Sequence, residues 1–482
     1  MRPNRRLRSS RLARDPLYRT ECKDEPSPQS REASERARMI TLEELETAVA
    51  SSTIDTVVVA FTDMQGRLLG KRLSARYFLD ADIAHRGVEG CDYLLAVDME
   101  MEPKPGYAMS SWDRGYGDFR MLCDMSTLRK LEWLEGTALV LCDLVWHDAR
   151  PVAASPRQVL RNQIERARSL GFDVMIGSEL EFYLFDETYS GARSQHYRSL
   201  TPSVPYVLDY HVLATTFSEG ILRDLRNYME RSGISVECSK GEASAGQHEL
   251  NLRYTTALEM ADNHSVYKNG AKEIAHLKGR SITFMAKPYH DSLGSSCHVH
   301  ASLWRDGFSA FAADEALFKS FIAGQLACAE ELALFFAPNV NSYKRYVQGS
   351  WAPTSLVWGR DNRTCGFRSV GEGQGLRIES RIPGADANPY LAFAAIIASG
   401  IYGIENKLDP GPPYETNAYE SDAKRFPATL RDAIAHLERS TMARDAFGDE
   451  MIDHYLNYAR IEQQLFDQEV TCYERERLFE RT

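Results

Sequence analysis

The stretch GSELEFYLFD (residues 177–186) places two carboxylates, Glu179 and Glu181, two residues apart among residues that favour β-strands. Successive side chains of a strand alternate between its two faces, so both glutamates point to one side and Leu180 points to the other. Two neighbouring anions repel each other and need compensation by solvent, by protonation or by a cation. Taken alone, the pair is also compatible with a solvated strand face, and only similar strands downstream favour a site.

Three later segments repeat this alternation of polar and aliphatic residues, namely GQHELNLRY, SSCHVHASLW and GLRIESRI. Upstream of the first, Glu237 and Glu242 lie in a strand-to-loop segment. The pattern predicts one curved sheet, with helices on its convex side and a polar cavity on its concave side. The residues on the polar faces of the three later strands are Gln247, Glu249, Asn251, His298, His300, Ser302, Arg377, Glu379 and Arg381.

The assembled polar faces offer a surplus of carboxylate oxygens around one imidazole. Such a set suits hard cations, Mg²⁺ or Mn²⁺, and its size favours more than one ion. A hydrogen-bonded structural role is the simpler alternative for His300. The candidate metal ligands are Glu179, Glu181, Glu242, Glu249, His298 and Glu379.

Arginines are concentrated in the same C-terminal half of the chain. The guanidinium group of arginine can donate two parallel hydrogen bonds to a carboxylate or a phosphate. Divalent metals together with arginines that hold the phosphate are typical of phosphoryl transfer. A surface ion-pair ladder around Glu379 is the alternative. No Walker lysine loop or GxGxxG motif is present. The pattern therefore predicts a metal-dependent enzyme acting on an anionic substrate. The arginines are Arg345, Arg363, Arg368, Arg377 and Arg381.

Composition excludes several classes of protein. The 482 residues are 43% hydrophobic and carry a net charge of −11, which argues against a nucleic-acid-binding protein. No apolar run reaches the length of a membrane span, and PYLAFAAIIASGIYGI is predicted to be a buried helix. The nine cysteines lack the spacing of a zinc site. We expect a cytoplasmic protein with reduced thiols.

The chain is predicted to be of the α+β class, in three parts. Residues 1–38 form a basic, polar tail without apolar periodicity and are expected to be disordered. Residues 39–145 form a small domain with a helix after Thr41, a β-hairpin that turns at Gln65-Gly66, and strands in CDYLLAVDM and TALVLCDLVW. Residues 146–482 form the larger, catalytic part.

These blocks together resemble the glutamine synthetase family, from about Met39 to about Arg477. The matching segments include TDMQGRLLGKR, GSELEFYL, VECSKGEASAGQHEL, NSYKRYVQGSWAP, NRTCGFR and RIESRIPGADANPYLAFAA. The resemblance implies an N-terminal β-grasp domain, a catalytic domain with a curved antiparallel sheet, and a homo-oligomeric ring, most simply a dodecamer. It also implies that the N-terminal domain of one subunit completes the active site of its neighbour.

The resemblance further implies roles for individual residues. One metal would be held by Glu181, Glu242 and Glu249, and the metal on the ATP phosphates by Glu179, His298 and Glu379. Nucleotide contacts would come from Glu237, His300, Ser302 and Arg377, with Arg363 and Arg368 serving ATP and the transferred phosphate. Glutamate would be held at Gly294, Arg345 and Arg381. Tyr419 falls near a tyrosine that some members adenylylate, but in different surroundings, and is interpreted as a loop tyrosine.

Two departures from the family pattern concern the nitrogen substrate. Trp351 stands where glutamine synthetases carry a flap glutamate, and Leu293 replaces an asparagine near the bound amino acid. An indole cannot pair with ammonium, but it can stack on a larger ammonium group in a cation–π contact. Ordinary packing of Trp351 in its loop is the alternative. The family's DGSS segment, whose aspartate deprotonates ammonia, is also absent. Asp92 or Asp98 is therefore the candidate base that would deprotonate the nitrogen substrate.

The resulting hypothesis is an ATP-dependent ligase that joins glutamate to an organic amine, such as a polyamine, ethanolamine or an alkylamine. Polyamines come first, because a carboxylate-rich mouth attracts a multiply charged cation. A glutamine synthetase that uses ammonia and a catalytically silent structural member of the family are the alternatives.

Overall fold

The computed structural model describes residues 39–482, and the predicted disordered tail, residues 1–38, lies outside the described residues. Two sheets organise the described chain. The strands are β1 (Thr56–Thr62), β2 (Leu68–Ser74), β3 (Val88–Cys91), β4 (Asp118–Lys130), β5 (Thr137–Val145), β6 (Asp173–Phe185), β7 (Val236–Gly241), β8 (Gln247–Thr256), β9 (Ser281–Thr283), β10 (Cys297–Arg305), β11 (Phe308–Ser309), β12 (Trp358–Arg360), β13 (Phe367–Val370) and β14 (Arg377–Ser380).

Helices surround both sheets, and no helix of the described chain is both long and apolar enough to cross a membrane. The helices are α1 (Leu42–Ala50), α2 (Ala75–Asp80), α3 (Ile83–Arg86), α4 (Pro156–Ser169), α5 (Tyr189–Ser194), α6 (Val212–Thr216), α7 (Glu219–Arg231), α8 (Ala257–Leu277), α9 (Ala310–Ala313), α10 (Glu315–Cys328), α11 (Ala333–Phe336), α12 (Pro389–Glu405), α13 (Leu430–Arg439), α14 (Thr441–Phe447), α15 (Asp449–Gln468) and α16 (Cys472–Leu478).

The first sheet has the strand order β2-β1-β5-β4-β3, with β1 and β5 parallel and the other neighbours antiparallel. Helix α1 begins at Thr41, which forms a reciprocal capping box with Glu44. The predicted hairpin β1–β2 is confirmed, and Gly66 adopts φ +78° in its turn. This mixed sheet with its short helices agrees with the β-grasp arrangement. The boundary between residues 145 and 146 stays a prediction.

The strand predicted in CDYLLAVDM (residues 91–99) is wrong. β3 ends at Cys91, and Asp92–Leu95 form a 3₁₀ turn instead. Two polar groups explain the turn: the Asp92 carboxylate accepts a hydrogen bond from Ser110 Oγ (2.5 Å), and the Asp98 carboxylate accepts from the backbone N–H groups of Glu100 and Glu102. Aspartates that bind nearby backbone and hydroxyl groups favour turns over strands.

The second sheet places the four polar-faced strands side by side. Its order is β12-β13-β14-β10-β6-β8-β7, so β14, β10, β6 and β8 are consecutive neighbours. The predicted antiparallel sheet is confirmed, since all these pairs are antiparallel except the short edge pair β12–β13, which is parallel. A bulge between Ile176 and Ser178 interrupts the β6–β8 ladder, and such bulges bend a sheet.

The aliphatic face of this sheet is covered by helices. Leu180, Val299 and Ile378 are buried in one core with residues of α8 and α12, while α4 packs on β6 and α12. The predicted buried helix is confirmed as α12, in which 14 of the 17 residues are buried. Its N-terminus is capped by Asn388, whose side chain accepts from the N–H of Tyr390, and Pro389 occupies the first turn, where it removes no needed hydrogen bond.

An ion network joins the first sheet to helices α4 and α8. Arg157 at the start of α4 binds both carboxylate oxygens of Asp262 on α8 (2.9 and 2.8 Å), and also Asp143 of β5 (2.6 Å) and Asp124 of β4 (2.8 Å). Nearby, the Asn388 side chain donates to backbone carbonyls in the β1–β2 turn. The first sheet is therefore fixed to the helical layer by paired, largely buried charges.

Replacing Asp262 by alanine tests the importance of this network. Arg157 and Asp262 are both buried, and removing one partner of a buried pair costs about 3–5 kcal/mol, so we expect a large fall in the unfolding midpoint in urea. The matched control is Asp453→Ala, which removes a solvent-exposed partner of Arg444 and should cost less than about 1 kcal/mol. Equal losses in the two variants would contradict a structural role for the buried network.

Candidate active site

The strand register lines up the polar residues of the second sheet. Glu181 lies opposite Glu249, Glu179 lies opposite both Asn251 and His298, and His300 lies opposite Glu379. Because paired residues in a ladder project to the same face, their side chains form one continuous polar surface. This surface lines two cavities, one of about 640 Å³ and one of about 250 Å³. Glu179 and Asn251 line both of them.

The first acidic group in the larger cavity consists of Glu181, Glu242 and Glu249, whose carboxylate oxygens lie within 4.8 Å of one another. Glu181 accepts hydrogen bonds from the Ser296 N–H (2.8 Å) and from Gln247 Nε2 (3.0 Å). Three carboxylates this close, with few donors, form a concentration of negative charge that a cation would stabilise.

The pKa values of this group reflect burial and mutual repulsion. Burial and the neighbouring Glu242 raise the pKa of Glu181 to about 8, and burial together with Glu179 and Glu242 raises the pKa of Glu249 well above its ordinary value. Lys240, which the sequence analysis did not single out, pairs with Glu242 and lies 3.9 Å from Glu249. One ammonium group does not balance three carboxylates.

The second group is built around Glu179, Glu379 and two histidines. His298 Nδ1 lies 3.3 Å from a Glu179 oxygen and 3.7 Å from a Glu379 oxygen, while His300 Nε2 lies 2.8 Å from the other Glu179 oxygen. Burial alone would raise the pKa of Glu179, but the hydrogen bonds with His298 and His300 lower it below its ordinary value. Burial would likewise raise the pKa of Glu379, and Arg381 instead lowers it to about 2.

The two histidines differ in the nitrogen atoms that they leave available. Arg377 Nε donates to His300 Nδ1 (3.1 Å), so the other nitrogen of His300 carries its proton toward Glu179, and both are engaged. His298 Nε2 is buried and has no hydrogen-bond partner in the described chain. Burial and Arg381 lower the pKa of His298 to about 4, which keeps the ring neutral near pH 7. A neutral imidazole can give a nitrogen lone pair to a metal, and Nδ1 is the nitrogen of His298 that faces Glu179 and Glu379.

These observations show that the donor set fits divalent cations. Oxygen-rich groups with an imidazole suit Mg²⁺ or Mn²⁺, and the two groups, which meet at Glu249 and together hold more ligands than one ion needs, favour more than one ion. The six predicted ligands are all brought together on this face.

Arginines form the opposite wall of the larger cavity. Arg368 donates to Glu379 (2.8 Å) and also pairs with Asp361, and Arg381 donates to the other oxygen of Glu379 (2.5 Å). Arg363 lines the cavity with an exposed side chain. The cavity thus has an acidic floor and a basic wall, an arrangement that suits a metal-bound anion.

Arg345 is placed differently from the prediction for a substrate-binding arginine. Its guanidinium is buried and donates to the backbone carbonyls of Arg381 and Ile382 (2.7 Å each) and to Ser296 Oγ (3.0 Å). Gly294 lines the cavity in front of it, and a Cβ at that position would lie 2.4 Å from Arg345 Cγ. Arg345 therefore supports the wall of the cavity from behind, and only glycine fits at position 294.

The mouth of the larger cavity carries the departure from the family pattern. Trp351 is 56% exposed, lines the cavity and adopts φ 64°, and its carbonyl accepts from Arg381 (3.4 Å). Asp209 and Tyr210, which the sequence analysis missed, also line this cavity. Behind the Trp351 loop, the buried Tyr419 hydroxyl donates to the Ala352 carbonyl (2.9 Å), so Tyr419 is a packing residue in this structure.

The smaller cavity collects the residues predicted to contact a nucleotide. An aromatic pair, Tyr254 and Trp304, stacks beside them with ring centroids 6.4 Å apart. Sequence reasoning missed this pair. Trp304 continues the alternation of His300 and Ser302 along β10, but Tyr254 has the parity of the aliphatic residues of β8 and lies at the bulge in the β6–β8 ladder. The predicted contacts lining the cavity are Glu237, His300, Ser302 and Arg377, whereas Arg363 and Arg368 line the larger cavity.

The two candidate bases lie away from both cavities. Asp92 and Asp98 are buried near the first sheet, and Asp98 is paired with Lys104 (2.7 Å). Burial raises the pKa of Asp92; burial would also raise that of Asp98, but the Lys104 hydrogen bond brings it below its ordinary value. This structure brings neither residue to the metal-ligand cluster, and their role in a neighbouring subunit stays a prediction.

Replacing Glu249 by glutamine tests the cation site through stability. A ligand at a hundredfold excess over its Kd contributes about 2.7 kcal/mol, so Mn²⁺ should raise the Tm of the unaltered protein by roughly 5 °C. We expect Glu249→Gln to lose most of this rise. Without metal, the variant should be at least as stable as the unaltered protein, because one of the three mutually repelling carboxylates is gone. Glu315→Gln, at an exposed glutamate, is the control; an undiminished Mn²⁺ effect in Glu249→Gln would refute the site.

Comparison with known proteins was made by sequence and by structure. The family model for the glutamine synthetase catalytic domain matches residues 153–478. The γ-glutamylethanolamide synthetase GlnA4 of Streptomyces coelicolor is 51% identical over 462 residues, covering 94% of this chain and all of that protein. A glutamate–isopropylamine ligase of a Pseudomonas species is 39% identical, covering 84% of this chain and 91% of its own length.

The fold agrees with these matches. A solved complex of GmaS with ADP superposes with a TM-score of 0.79 at 28% identity, over 90% of this chain and 99% of that chain. The family model spans most of the described residues, and the relatives match well beyond it. The chain belongs to the glutamine synthetase family.

Proposed function

We propose that this chain is an ATP-dependent ligase that joins the γ-carboxylate of glutamate to the nitrogen of an organic amine. The observation that carries the proposal is the composition of the larger cavity, in which the acidic floor and the basic wall are intact while Trp351 occupies the mouth. Two relatives named as a γ-glutamylethanolamide synthetase and a glutamate–isopropylamine ligase support the same chemistry.

The proposed reaction has two steps. A γ-carboxylate oxygen of glutamate attacks the γ-phosphorus of ATP, and the bond to the β-phosphate oxygen breaks. The products of this step are ADP and γ-glutamyl phosphate. The amine nitrogen then attacks the carbonyl carbon, the bond to the phosphate oxygen breaks and phosphate leaves, and the proton lost by the nitrogen passes to a base, for which Asp92 or Asp98 of a neighbouring subunit is the proposed candidate. Bound Mg²⁺ or Mn²⁺ would neutralise phosphate charge in the first step. The proposed holders are Glu181, Glu242 and Glu249 for one ion and Glu179, His298 and Glu379 for another.

The protein's own residues position the reactants. The stacked pair Tyr254 and Trp304 fits the base of a nucleotide, with Glu237, Ser302 and Arg377 around it. The solved GmaS complex contains ADP, which agrees with a nucleotide site in this fold. Arg363 and Arg368 are available to the transferred phosphate, and Gly294 and Arg381 border the proposed glutamate site, with Arg345 supporting it from behind.

Trp351 is the proposed determinant of the nitrogen substrate. An exposed indole at the mouth offers an apolar, π-rich surface for an alkylammonium group, and Asp209 adds a carboxylate that attracts a cation. Ammonium gains little from the indole. Ethanolamine is the first candidate, because the 51% identical relative is named for it; the preference for polyamines from the sequence stays a prediction.

The assembly and location are also part of the proposal. We propose a homo-oligomeric ring, with a dodecamer as the first expectation from the family, acting in the cytoplasm. Mass photometry on the purified chain would distinguish a ring of ten or twelve subunits from a smaller species.

A panel of amines tests the proposed reaction. Phosphate release from Mg·ATP and glutamate is measured with ammonium, methylamine, isopropylamine, ethanolamine, putrescine and spermidine. We expect turnover with at least one organic amine to exceed that with ammonium by about tenfold, the factor that corresponds to 1.4 kcal/mol of discrimination. Efficient use of ammonium would identify the protein as a glutamine synthetase. No turnover with any amine would favour a catalytically silent family member.

Substitution of Trp351 tests the role of the indole. A cation–π contact contributes about 0.5–2 kcal/mol, so Trp351→Ala should raise KM for the amine by roughly 2–30-fold and leave KM for ATP unchanged. Trp351→Phe keeps a ring and should lie near the unaltered enzyme. If the alanine variant keeps the amine KM of the unaltered enzyme, the indole serves loop packing alone.

A further inference from the structure

A third cavity lies outside the proposed active site, between the β1–β2 turn and the catalytic part. Its volume is about 740 Å³, the largest of the cavities described above. The turn contributes Gln65–Leu69, and the opposite walls come from α8 and from the segment that ends in Lys344. None of the residues lining it lines the two active-site cavities.

One face of α8 supplies the polar wall of this cavity. Lys268 and Asn269 lie three and four residues after Ser265, and Lys272 lies four residues after Lys268, so the four project from the same side of the helix. Ser265 is 1% exposed, and its hydroxyl has no hydrogen-bond partner in the described chain. The described chain therefore supplies no acceptor for this buried hydroxyl, which lines the same cavity as the two lysines.

The two lysines are not neutralised by ion pairs. Lys268 Nζ makes one hydrogen bond, to the Ala385 carbonyl (2.6 Å), and no ion pair or hydrogen bond involves the Lys272 ammonium within residues 39–482. Both ammonium groups lie beside the Phe284 ring, at 5.7 and 5.8 Å from its centroid. Burial and the charge of Lys272 lower the pKa of Lys268 to about 8, and burial and Arg67 lower that of Lys272.

The acidic groups of the cavity compensate this basic end only in part, since the charge of Asp386 favours the protonated form of Lys268 but faces two lysines. Asp386 accepts hydrogen bonds at Oδ2 from Asn339 (3.0 Å) and Ser342 (2.5 Å), while its Oδ1 is buried without a partner. Glu462 lies on α15, where burial and the nearby Glu100 raise its pKa and favour its neutral form. Arg67 is already paired with Asp63 (2.7 Å). The positive charge of the two lysines therefore exceeds the negative charge near them.

We propose that this cavity binds a small organic or inorganic oxyanion, a carboxylate or a phosphate, on the α8 face formed by Ser265, Lys268 and Lys272. Charge-assisted hydrogen bonds from the two ammonium groups and one from the Ser265 hydroxyl hold the oxyanion, and Asn269 flanks it. A cavity of this volume takes a metabolite of several carbons as readily as a free phosphate.

The far wall of the cavity connects the site to the proposed glutamate site. Asn341 and Lys344 line the anion cavity, and Arg345, next in sequence, supports the wall of the active-site cavity. Ala385, whose carbonyl binds Lys268, donates its N–H to Ser295 in the same wall. An anion that orders this segment should strengthen glutamate binding, and this step alone rests on the proposed function.

Calorimetric titration of the full, ligand-free chain tests the site with two probes, inorganic phosphate and succinate. We expect Lys272→Gln to weaken binding by about tenfold or more through the loss of a charge-assisted contact, and Lys272→Arg to restore it. Lys319→Gln, at an exposed lysine on α10, is the matched control. Arg363→Gln, in the active-site cavity, separates the two anion sites and should leave this binding intact. The probe with the lower Kd shows whether the site prefers a phosphate or a carboxylate.

Three results would overturn the site: no binding of either probe to the unaltered chain, equal binding in Lys272→Gln, or complete loss in Arg363→Gln. The link to catalysis is measured separately as KM for glutamate. We expect the preferred probe to lower this KM by about fivefold in the unaltered enzyme and not in Lys272→Gln. If the probe binds but KM for glutamate does not change, the link to catalysis is refuted and the anion site stands. The titration does not depend on turnover, so it tests the site even if the proposed ligase reaction is not observed.

Discussion

Repulsion between carboxylates on one face of one sheet is the constraint on which the rest of this structure depends. Glu179, Glu181 and Glu249 are adjacent in the ladder, and burial makes their charge costly. The fold compensates at the edges, with Lys240 on one side and Arg368 and Arg381 on the other. No protein cation of the described chain lies at the middle of the row, and carboxylates left without neutralisation favour a bound divalent cation.

Much of this arrangement was predictable, because alternation in a strand determines which residues share a face. The four polar-faced strands were expected in one sheet, and the structure makes them neighbours. The parallel β12–β13 pair and the turn at Asp92 were not expected, because strand partners and side-chain hydrogen bonds such as that from Ser110 to Asp92 depend on residues distant in sequence. Short hydrophobic segments such as CDYLLAVDM do not distinguish a strand from a turn by composition.

The candidate site shows the same division. Ligand positions followed from the sequence patterns and the family resemblance, yet Lys240, Asp209 and the stacking of Tyr254 on Trp304 emerge only from three-dimensional proximity. Arg345 is the clearest case of a residue whose type was informative and whose position was not. A buried arginine that donates to two backbone carbonyls organises the wall that a substrate would touch, without itself facing the cavity.

The clamp around Arg157 limits how freely this architecture can be recombined. Its partners come from the first sheet, Asp124 and Asp143, and from helix α8, Asp262, so the N-terminal part is not an independent module. A chimera that exchanges this part between relatives would inherit one half of a buried charge network unless both halves are transferred together. Lineages of this family should therefore retain or lose these four positions as a set, even while the loop that carries Trp351 diversifies.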